Sequence, residues 1–218
     1  MSQYKSSMFS DAVYLFGTTF SSAPSRFDRK EELLDGTKVN QNTLAEQAVL
    51  AAFAYLYNKK LIDIVLVEGK SLFGEKMTAI VKKLQSPPPY DTSGLEAAIF
   101  AQYLTLRQRR STLQDNVGIY DIIRGLLRNV SNPWGDVLQI VKENLLYRGI
   151  LKQVEKRKVL FITTHKNVVN EDISKEEKQV TELKKTLEEL QSKGELYIII
   201  LSEIASGISS RQVKDTGG

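Results

Sequence analysis

The sequence predicts a mainly helical protein with small β-hairpins, made of two winged-helix-like halves and a C-terminal helical segment. Three observations support this fold class. Apolar residues recur at helical spacing in several segments, paired apolar runs follow two of those segments, and three consecutive prolines divide the chain. With 218 residues, the chain is long enough to bury a large core without disulfides or metals.

Residues 1–42 are predicted to form an N-terminal segment with a long loop. Residues 1–12 show no periodicity and are expected to be frayed, whereas residues 12–16 form an apolar patch that suits one buried helical turn or a short strand. Residues 17–42 are polar and rich in turn formers, with room for a short helix over residues 29–34. A connection of about 25 residues is long, so we expect this loop to be mobile or functional.

The first winged-helix-like half is predicted over residues 43–86. Thr43 and Glu46 have the spacing of a capping box and begin a helix whose apolar run to residue 56 indicates burial on all sides. Residues 61–67 read as a strand, Gly69 as a turn, and Leu72-Phe73 as the start of a returning strand. A further helix is expected over residues 75–84.

The second winged-helix-like half is predicted over residues 90–166, after the boundary at Pro87-Pro88-Pro89. Ser93 and Glu96 predict a second capping box, and apolar spacing predicts another helix over residues 117–129. Asn132-Pro133 begins a third helix, which ends at Gly149. Residues 150–154 and 159–163 then predict an antiparallel hairpin whose tip is residues 155–158.

The C-terminal helices are predicted over residues 174–208, followed by a disordered tail at 209–218. Ser174 and Glu177 give a third capping box. A narrow apolar stripe follows on a charged helix, formed by Val180, Leu183, Leu187 and Leu190. Such a stripe is more typical of a helix packed on its own domain, but it also allows a homo-oligomer through a short coiled coil.

Several chemistries are excluded or disfavoured by the composition. The chain has no cysteine, which excludes disulfides, thiolate metal sites and cysteine nucleophiles. Gly69-Lys70-Ser71 lacks the earlier glycine of a phosphate-binding loop, since Ile64 holds that position. His165 is the one histidine. We therefore expect no cofactor, no metal and no enzymatic activity.

The acidic pairs at 31–32, 171–172 and 176–177 read as solvated or helix-terminal charge rather than as catalytic carboxylates. Trp134, the single tryptophan, is expected in the core. We also expect five residues on the apolar faces of these helices to be buried: Phe53, Leu56, Ile123, Leu138 and Leu145.

Two basic clusters are the candidate anion-binding residues in a chain with a formal net charge of +4 and a pI near 9.1. The first cluster is Arg107, Arg109 and Arg110 at a helix end, and the second is Lys156, Arg157 and Lys158 at the expected hairpin tip. Both clusters are typical of solvent-exposed surface. Both also suit an anionic partner, either lipid headgroups or nucleic acid.

Residues 11–165 resemble the Golgi-phosphoprotein family, in particular its bacterial-type members. The likeness rests on the apolar patch with its long loop, on the alanine- and leucine-rich helix that runs into residues 60–64, and on residues 141–151 followed by the basic hairpin. The resemblance implies a mainly helical fold.

The resemblance also implies a lipid site, because eukaryotic members of the family bind phosphoinositide headgroups at membranes through a tryptophan and arginines. The comparable loop here, residues 17–42, has Phe20 and Phe27 but no tryptophan, with Arg26, Arg29 and Lys30 as its nearby basic residues.

The sequence thus favours a cytoplasmic, non-catalytic binding module, peripheral to an anionic membrane. The alternative is a winged-helix nucleic-acid-binding protein. A DNA-reading helix needs outward polar side chains, and the helix after Pro133 offers Gln139, Lys142, Asn144 and Arg148 for that role.

Overall fold

The computed structural model describes residues 8–71, 74–83, 92–109, 117–159, 162–170 and 173–213. The description covers the backbone alone for residues 69–71, 74–76, 83, 155–159 and 162–165. The helices within this part are α1 Phe9–Leu15, α2 Gly17–Phe20, α3 Gln41–Asn58, α4 Gly94–Arg109, α5 Ile119–Leu126, α6 Pro133–Tyr147, α7 Ser174–Gln191 and α8 Glu195–Ser209. The strands are β1 Lys30–Glu32, β2 Lys38–Asn40, β3 Ile62–Ser71, β4 Gly74–Lys83, β5 Val117–Gly118, β6 Leu151–Val159 and β7 Ile162–Val169.

The central element is α3, which is buried along most of its length and packs against α1, α4, α6, α7 and α8. Its alanine- and leucine-rich sequence allows other helices to approach it from several sides. The predicted start at Thr43 is wrong because Asn40 is the N-cap, and its side chain accepts a hydrogen bond from the Thr43 amide at 3.0 Å.

The other two predicted capping boxes are also wrong, although both helices are present. In α4 the Ser93 hydroxyl has no hydrogen-bond partner, and Glu96 bonds to Ser10 in α1 instead. In α7 the N-cap position is Ile173, without a side-chain cap, so Ser174 lies inside the first turn. By contrast, Asn132 caps α6 as predicted and accepts from the Gly135 amide at 3.2 Å.

The N-terminal segment is more ordered than predicted from Met8 onward. Helix α1 begins at Phe9 and buries six of its seven residues, so the predicted frayed end is wrong for residues 8–12. The predicted short helix over residues 29–34 is also wrong, because β1 and β2 form an antiparallel hairpin there. Gly36, with φ of +88°, supplies the left-handed conformation that this tight turn requires.

The β3–β4 hairpin confirms the predicted strand over 61–67 and extends it. The register runs from Ile62 opposite Lys83 to Ser71 opposite Gly74. The helix predicted over residues 75–84 is therefore wrong, and Gly69 lies in β3 rather than at a turn. Strand β5 adds to β4 at Val81 and Ile80, so this sheet crosses the boundary predicted at the proline run.

The β6–β7 hairpin is antiparallel as predicted, but its register differs. Val154 pairs with Lys166, and Val159 pairs with Ile162. Val159 thus ends the first strand, and the predicted tip residues Lys156, Arg157 and Lys158 lie within β6. The strands are longer than predicted because they pair through polar and charged positions, which an apolar-run criterion does not count as strand.

One hydrophobic core joins both predicted halves and the C-terminal helices. The five residues predicted to be buried are each at most 1% exposed. Leu183 and Leu190 of the α7 stripe are also buried against the chain's own core, while Val180 and Leu187 are partly buried. A homo-oligomer through this stripe stays a prediction.

The predicted disordered tail is wrong for residues 209–213. Helix α8 runs through Ser209, and Gln212 forms a parallel bridge with Val130. The rest of the predicted tail, residues 214–218, lies outside the described residues. Among the helices that are described, none is both long and apolar enough to cross a membrane.

Candidate functional site

The first predicted basic cluster lies at the C-terminal end of α4. Arg107 is half-buried and Arg109 is exposed, while Arg110 lies outside the described residues. The other end of α4 touches α6, since a Cβ atom on Gly94 would lie 2.7 Å from the Asn144 side chain. At 1.5 Å per residue, Arg107 is roughly 20 Å along α4 from that contact.

The second predicted basic cluster, Lys156, Arg157 and Lys158, lies within β6, in the half of the strand farther from α6. The structure describes the backbone of these residues but not their side chains. The hairpin begins at Leu151, shortly after α6 ends at Tyr147. The base of the hairpin is therefore at the α6 end where α4 begins, whereas Arg107 is at the far end of α4. The structure does not place Arg107 beside the hairpin base.

A third feature, which sequence reasoning did not select as a site, is an exposed aromatic side chain in the N-terminal loop. Phe27 is 92% exposed, and the Arg26 guanidinium carbon lies 6.0 Å from the centre of its ring. We call residues 21–30 the Phe27 loop. The sequence of this loop is that of an ordinary polar loop with one aromatic residue between Arg26 and Arg29, so it does not predict that the Phe27 side chain is exposed.

The Phe27 loop is held in one shape by hydrogen bonds at both ends of its turn. The Ser25 amide donates to Asp28 at 2.7 Å, and this bond holds the pKa of the Asp28 carboxyl below its usual range. The Gln41 amide donates to the Arg29 carbonyl at 3.0 Å, and the Arg29 guanidinium donates to the Ser131 carbonyl at 2.9 Å. Phe27 is therefore presented to solvent by an ordered backbone.

A buried polar cluster lies where α1, α4, α6 and α7 meet, and sequence reasoning missed it. Asp11 is paired with the Arg148 guanidinium and accepts two hydrogen bonds from the Asn144 amide, both at 3.0 Å. Arg148 also reaches Glu176 at 3.3 Å. Asp11, Asn144, Arg148 and Glu176, together with Glu96, are called the Asp11 cluster.

Glu96 attaches α4 to the first turn of α1. Its two carboxyl oxygens lie 2.8 Å from the Ser10 amide nitrogen and 2.7 Å from the Ser10 hydroxyl. Burial raises the pKa of Glu96 to about 8, and the nearby negative charge of Asp11 adds to that shift. Burial likewise raises the pKa of Asp11 to about 6, although Arg148 opposes it.

Of the two described acidic pairs, Glu176 and Glu177 lie in the first turn of α7 as predicted for helix-terminal charge, and Glu32 and Glu177 are exposed. Solvation is wrong for Glu31 and Glu176, which are both buried. Glu31 accepts from the Tyr14 hydroxyl at 3.2 Å and pairs with Lys142 at 2.7 Å. Burial, with the Glu31 charge as a second cause, raises the pKa of Tyr14 above its usual range. The third pair, 171–172, lies outside the described residues.

Two clefts, of about 320 and 310 Å³, open on other parts of the surface. The larger is next to Glu203, whose carboxylate accepts from the amides of Ala79 at 3.0 Å and Tyr120 at 3.3 Å. The smaller lies between the β1–β2 turn, the end of β7 and Ile173. Neither of these two clefts is lined by residues of the Asp11 cluster.

Two further sequence predictions concern single residues. Trp134 is buried, 8% exposed, and its indole nitrogen lies 3.4 Å from Glu46, as expected for a core residue with a polar partner. His165 pairs with Glu155 along the hairpin backbone, and its side chain is outside the description. In the described part of the chain, no three His, Cys, Asp or Glu residues are placed to hold a metal ion.

Comparison with known proteins gives no relative: no family model, curated protein or solved structure matches the chain.

Proposed function

We propose that the protein is a non-catalytic binding module that docks on an anionic membrane surface through the Phe27 loop and the basic β6–β7 hairpin. The observation that carries this proposal is the 92% exposure of Phe27 on an ordered turn beside basic residues. Exposing a large aromatic side chain to water is unfavourable, and its transfer into an apolar phase lowers the free energy by roughly 1.5–3 kcal/mol.

The charges around Phe27 suit an anionic interface. Arg26, Arg29 and Lys30 flank Phe27 in sequence and Asp28 opposes them, so the loop has a net charge of +2, and each net positive charge near an anionic bilayer contributes about 1 kcal/mol. Together with Phe27 this amounts to about 4 kcal/mol, which corresponds to a dissociation constant near 1 mM. Binding of that strength is reversible and falls as salt screens the charges.

The β6–β7 hairpin supplies further positive charge. Residues 151–169 contain five Lys or Arg and one Glu, so this segment alone has the +4 charge of the whole chain. Lys152, near its base, is exposed. Leu160-Phe161 lies between the two strands in sequence, at a position where Gly, Asn and other polar residues are more usual.

The helices before this hairpin support the finer proposal of a winged-helix-like second half. Helices α4, α5 and α6 precede β6 and β7 in chain order, as the three helices precede the wing in that motif. The difference is β5, which pairs with β4 of the other hairpin rather than with β6 or β7.

The alternative, nucleic-acid reading by α6, has less support because its polar side chains are engaged inside the protein. Asn144 and Arg148 bind Asp11, and Lys142 binds Glu31. Gln139 is exposed but bonds to Glu143 on the same helix. A helix packed against α1, α3 and α4 has little free surface to place in a major groove.

The test is sedimentation of the full chain with vesicles of phosphatidylcholine, alone or with one third phosphatidylserine, over a series of salt concentrations. Phe27→Ser should weaken binding to the acidic vesicles roughly 30-fold, from the loss of about 2 kcal/mol. Ile198→Ser is the matched control, because Ile198 is also an exposed apolar residue, 67% exposed, but lies on α8. It should bind as the parent does.

The hairpin is tested separately by changing Lys156, Arg157 and Lys158 together to Glu, which should weaken binding and reduce its salt dependence. The control reverses three exposed lysines of α7, namely Lys178, Lys184 and Lys185. Equal losses in the hairpin variant and this control, no effect of Phe27→Ser, or tighter binding to duplex DNA than to acidic vesicles at matched salt would each refute the proposal.

A further inference from the structure

We infer that α1 is held on the helical bundle by a carboxyl group that must keep its proton, Glu96, so that α1 is released when the pH rises. This inference is independent of the proposed membrane binding. It assigns a regulatory role to the Asp11 cluster, which the proposed function does not use.

The Asp11 cluster contains three carboxyl groups and one guanidinium group, so its acids outnumber its cation. Asp11, Glu96 and Glu176 converge from α1, α4 and α7, and the basic side chain that contacts Asp11 and Glu176 is Arg148. Asp11 and Glu96 are fully buried, and Arg148 is 6% exposed. A second ionised carboxylate beside Asp11 would therefore be a buried charge without solvent to screen it.

The other charged groups near α1 do not relieve this excess. At the far end of the helix, Tyr14 donates to Glu31, and Lys142 of α6 already neutralises that carboxylate at 2.7 Å. Helix α2 contains no charged residue, and α3 packs the ring of Tyr55 against Phe9, with 5.3 Å between ring centres. In the part of the chain that the structure describes, the cations paired with acids beside α1 are Arg148 and Lys142, and neither pairs with Glu96.

The protonation state of Glu96 then decides how firmly α1 is attached. Its two contacts to Ser10 favour the ionised form, but burial and the charge of Asp11 outweigh them and raise the pKa of Glu96 to about 8. Once α1 is detached, Glu96 ionises near its ordinary pKa of 4.5, so its attachment to the first turn of this seven-residue helix weakens as the pH rises towards 8 and changes little above that. Local opening of one short peripheral element costs less free energy than unfolding the whole core.

The experiment uses the absence of cysteine in the chain. Ala12→Cys places a thiol on the buried face of α1, and Ala52→Cys places one inside α3 as a reporter of global opening. The labelling rate of each thiol is measured from pH 6 to pH 9 and divided by the rate for the same chain unfolded in urea, which removes the effect of thiol ionisation. The normalised rate for the Ala12→Cys variant should rise at least tenfold, while that for the Ala52→Cys variant stays low.

Glu96→Gln, which keeps the shape and neutrality of the protonated acid, should remove the rise in labelling of the α1 thiol. The matched control is Glu177→Gln, an exposed carboxyl on α7, which should leave the rise unchanged. If Glu96→Gln does not fold, Asp11→Asn replaces it and should shift the rise to lower pH, because removing the neighbouring negative charge lowers the pKa of Glu96. A rise that is equal at both thiols, or that persists unshifted in the Glu96 or Asp11 variant, would overturn the inference.

Discussion

Replacing Arg148 with Met tests whether the Asp11 cluster stabilises the fold through charge pairing. Met keeps an apolar stem of similar length but cannot neutralise Asp11, which is fully buried. Asp11 then retains the Asn144 amide but has lost its cation. Removing one partner of a buried ion pair costs about 3–5 kcal/mol. For a domain of this size, 1 kcal/mol corresponds to about 2–4 °C in Tm, so the loss should be roughly 6–20 °C.

Urea unfolding followed by the fluorescence of Trp134, the single buried tryptophan, measures this loss directly. The deficit of Arg148→Met should be larger at pH 8 than at pH 5, because Asp11, with its pKa near 6, is mostly neutral at the lower pH. Adding Asp11→Asn should restore part of the stability, since the fully buried Asp11 charge is then removed together with its cation. A loss under about 1 kcal/mol, or an equal loss at both pH values, would refute the charge-pairing argument.

Three further predictions follow from the packing and the raised pKa values. Leu138→Ala and Leu145→Ala should each lower the free energy of unfolding by about 2–5 kcal/mol in urea titrations, and an unchanged midpoint for both would contradict their burial. The parent should lose stability as the pH rises from 5 to 8, because folded Glu96 holds a proton that the unfolded chain, with a pKa of 4.5, has released. The slope should reach about 1.4 kcal/mol per pH unit and should flatten in Glu96→Gln. Gly94→Ala should also destabilise, since φ is +59° and its Cβ would lie 2.7 Å from Asn144; calorimetry would show a lower Tm, and an unchanged Tm would count against this contact.

Helices could be predicted from the sequence because their apolar spacing reflects one continuous core. Capping boxes could not, because the same side chains have stronger distant partners: Glu96 bonds to Ser10, 86 residues away, rather than to its own helix start. Strand β4 is predicted as helix because Glu, Lys, Met and Ala are good helix formers. Its pairing with β3 overrides that local preference.

The two most informative polar features were also the least predictable. The Asp11 cluster joins residues from four helices that are far apart in sequence, so no local pattern reveals it. Phe27 lies in an aperiodic loop, where the sequence does not distinguish an exposed aromatic residue from a buried one. By contrast, the basic hairpin is predicted as a hairpin, and only its register is misplaced, because the criterion of apolar runs stops each strand too early.

Strand β5 comes after the proline run but completes a sheet that starts before it. The segments on either side of the prolines therefore share both a sheet and a core, and α3 contacts helices from both. Such an arrangement should unfold in a single cooperative transition rather than one for each segment. It also means that two fragments divided at the prolines, each with exposed apolar surface when alone, should reassemble when mixed. We therefore expect the division into halves to describe the order of elements along the chain rather than two units that fold separately.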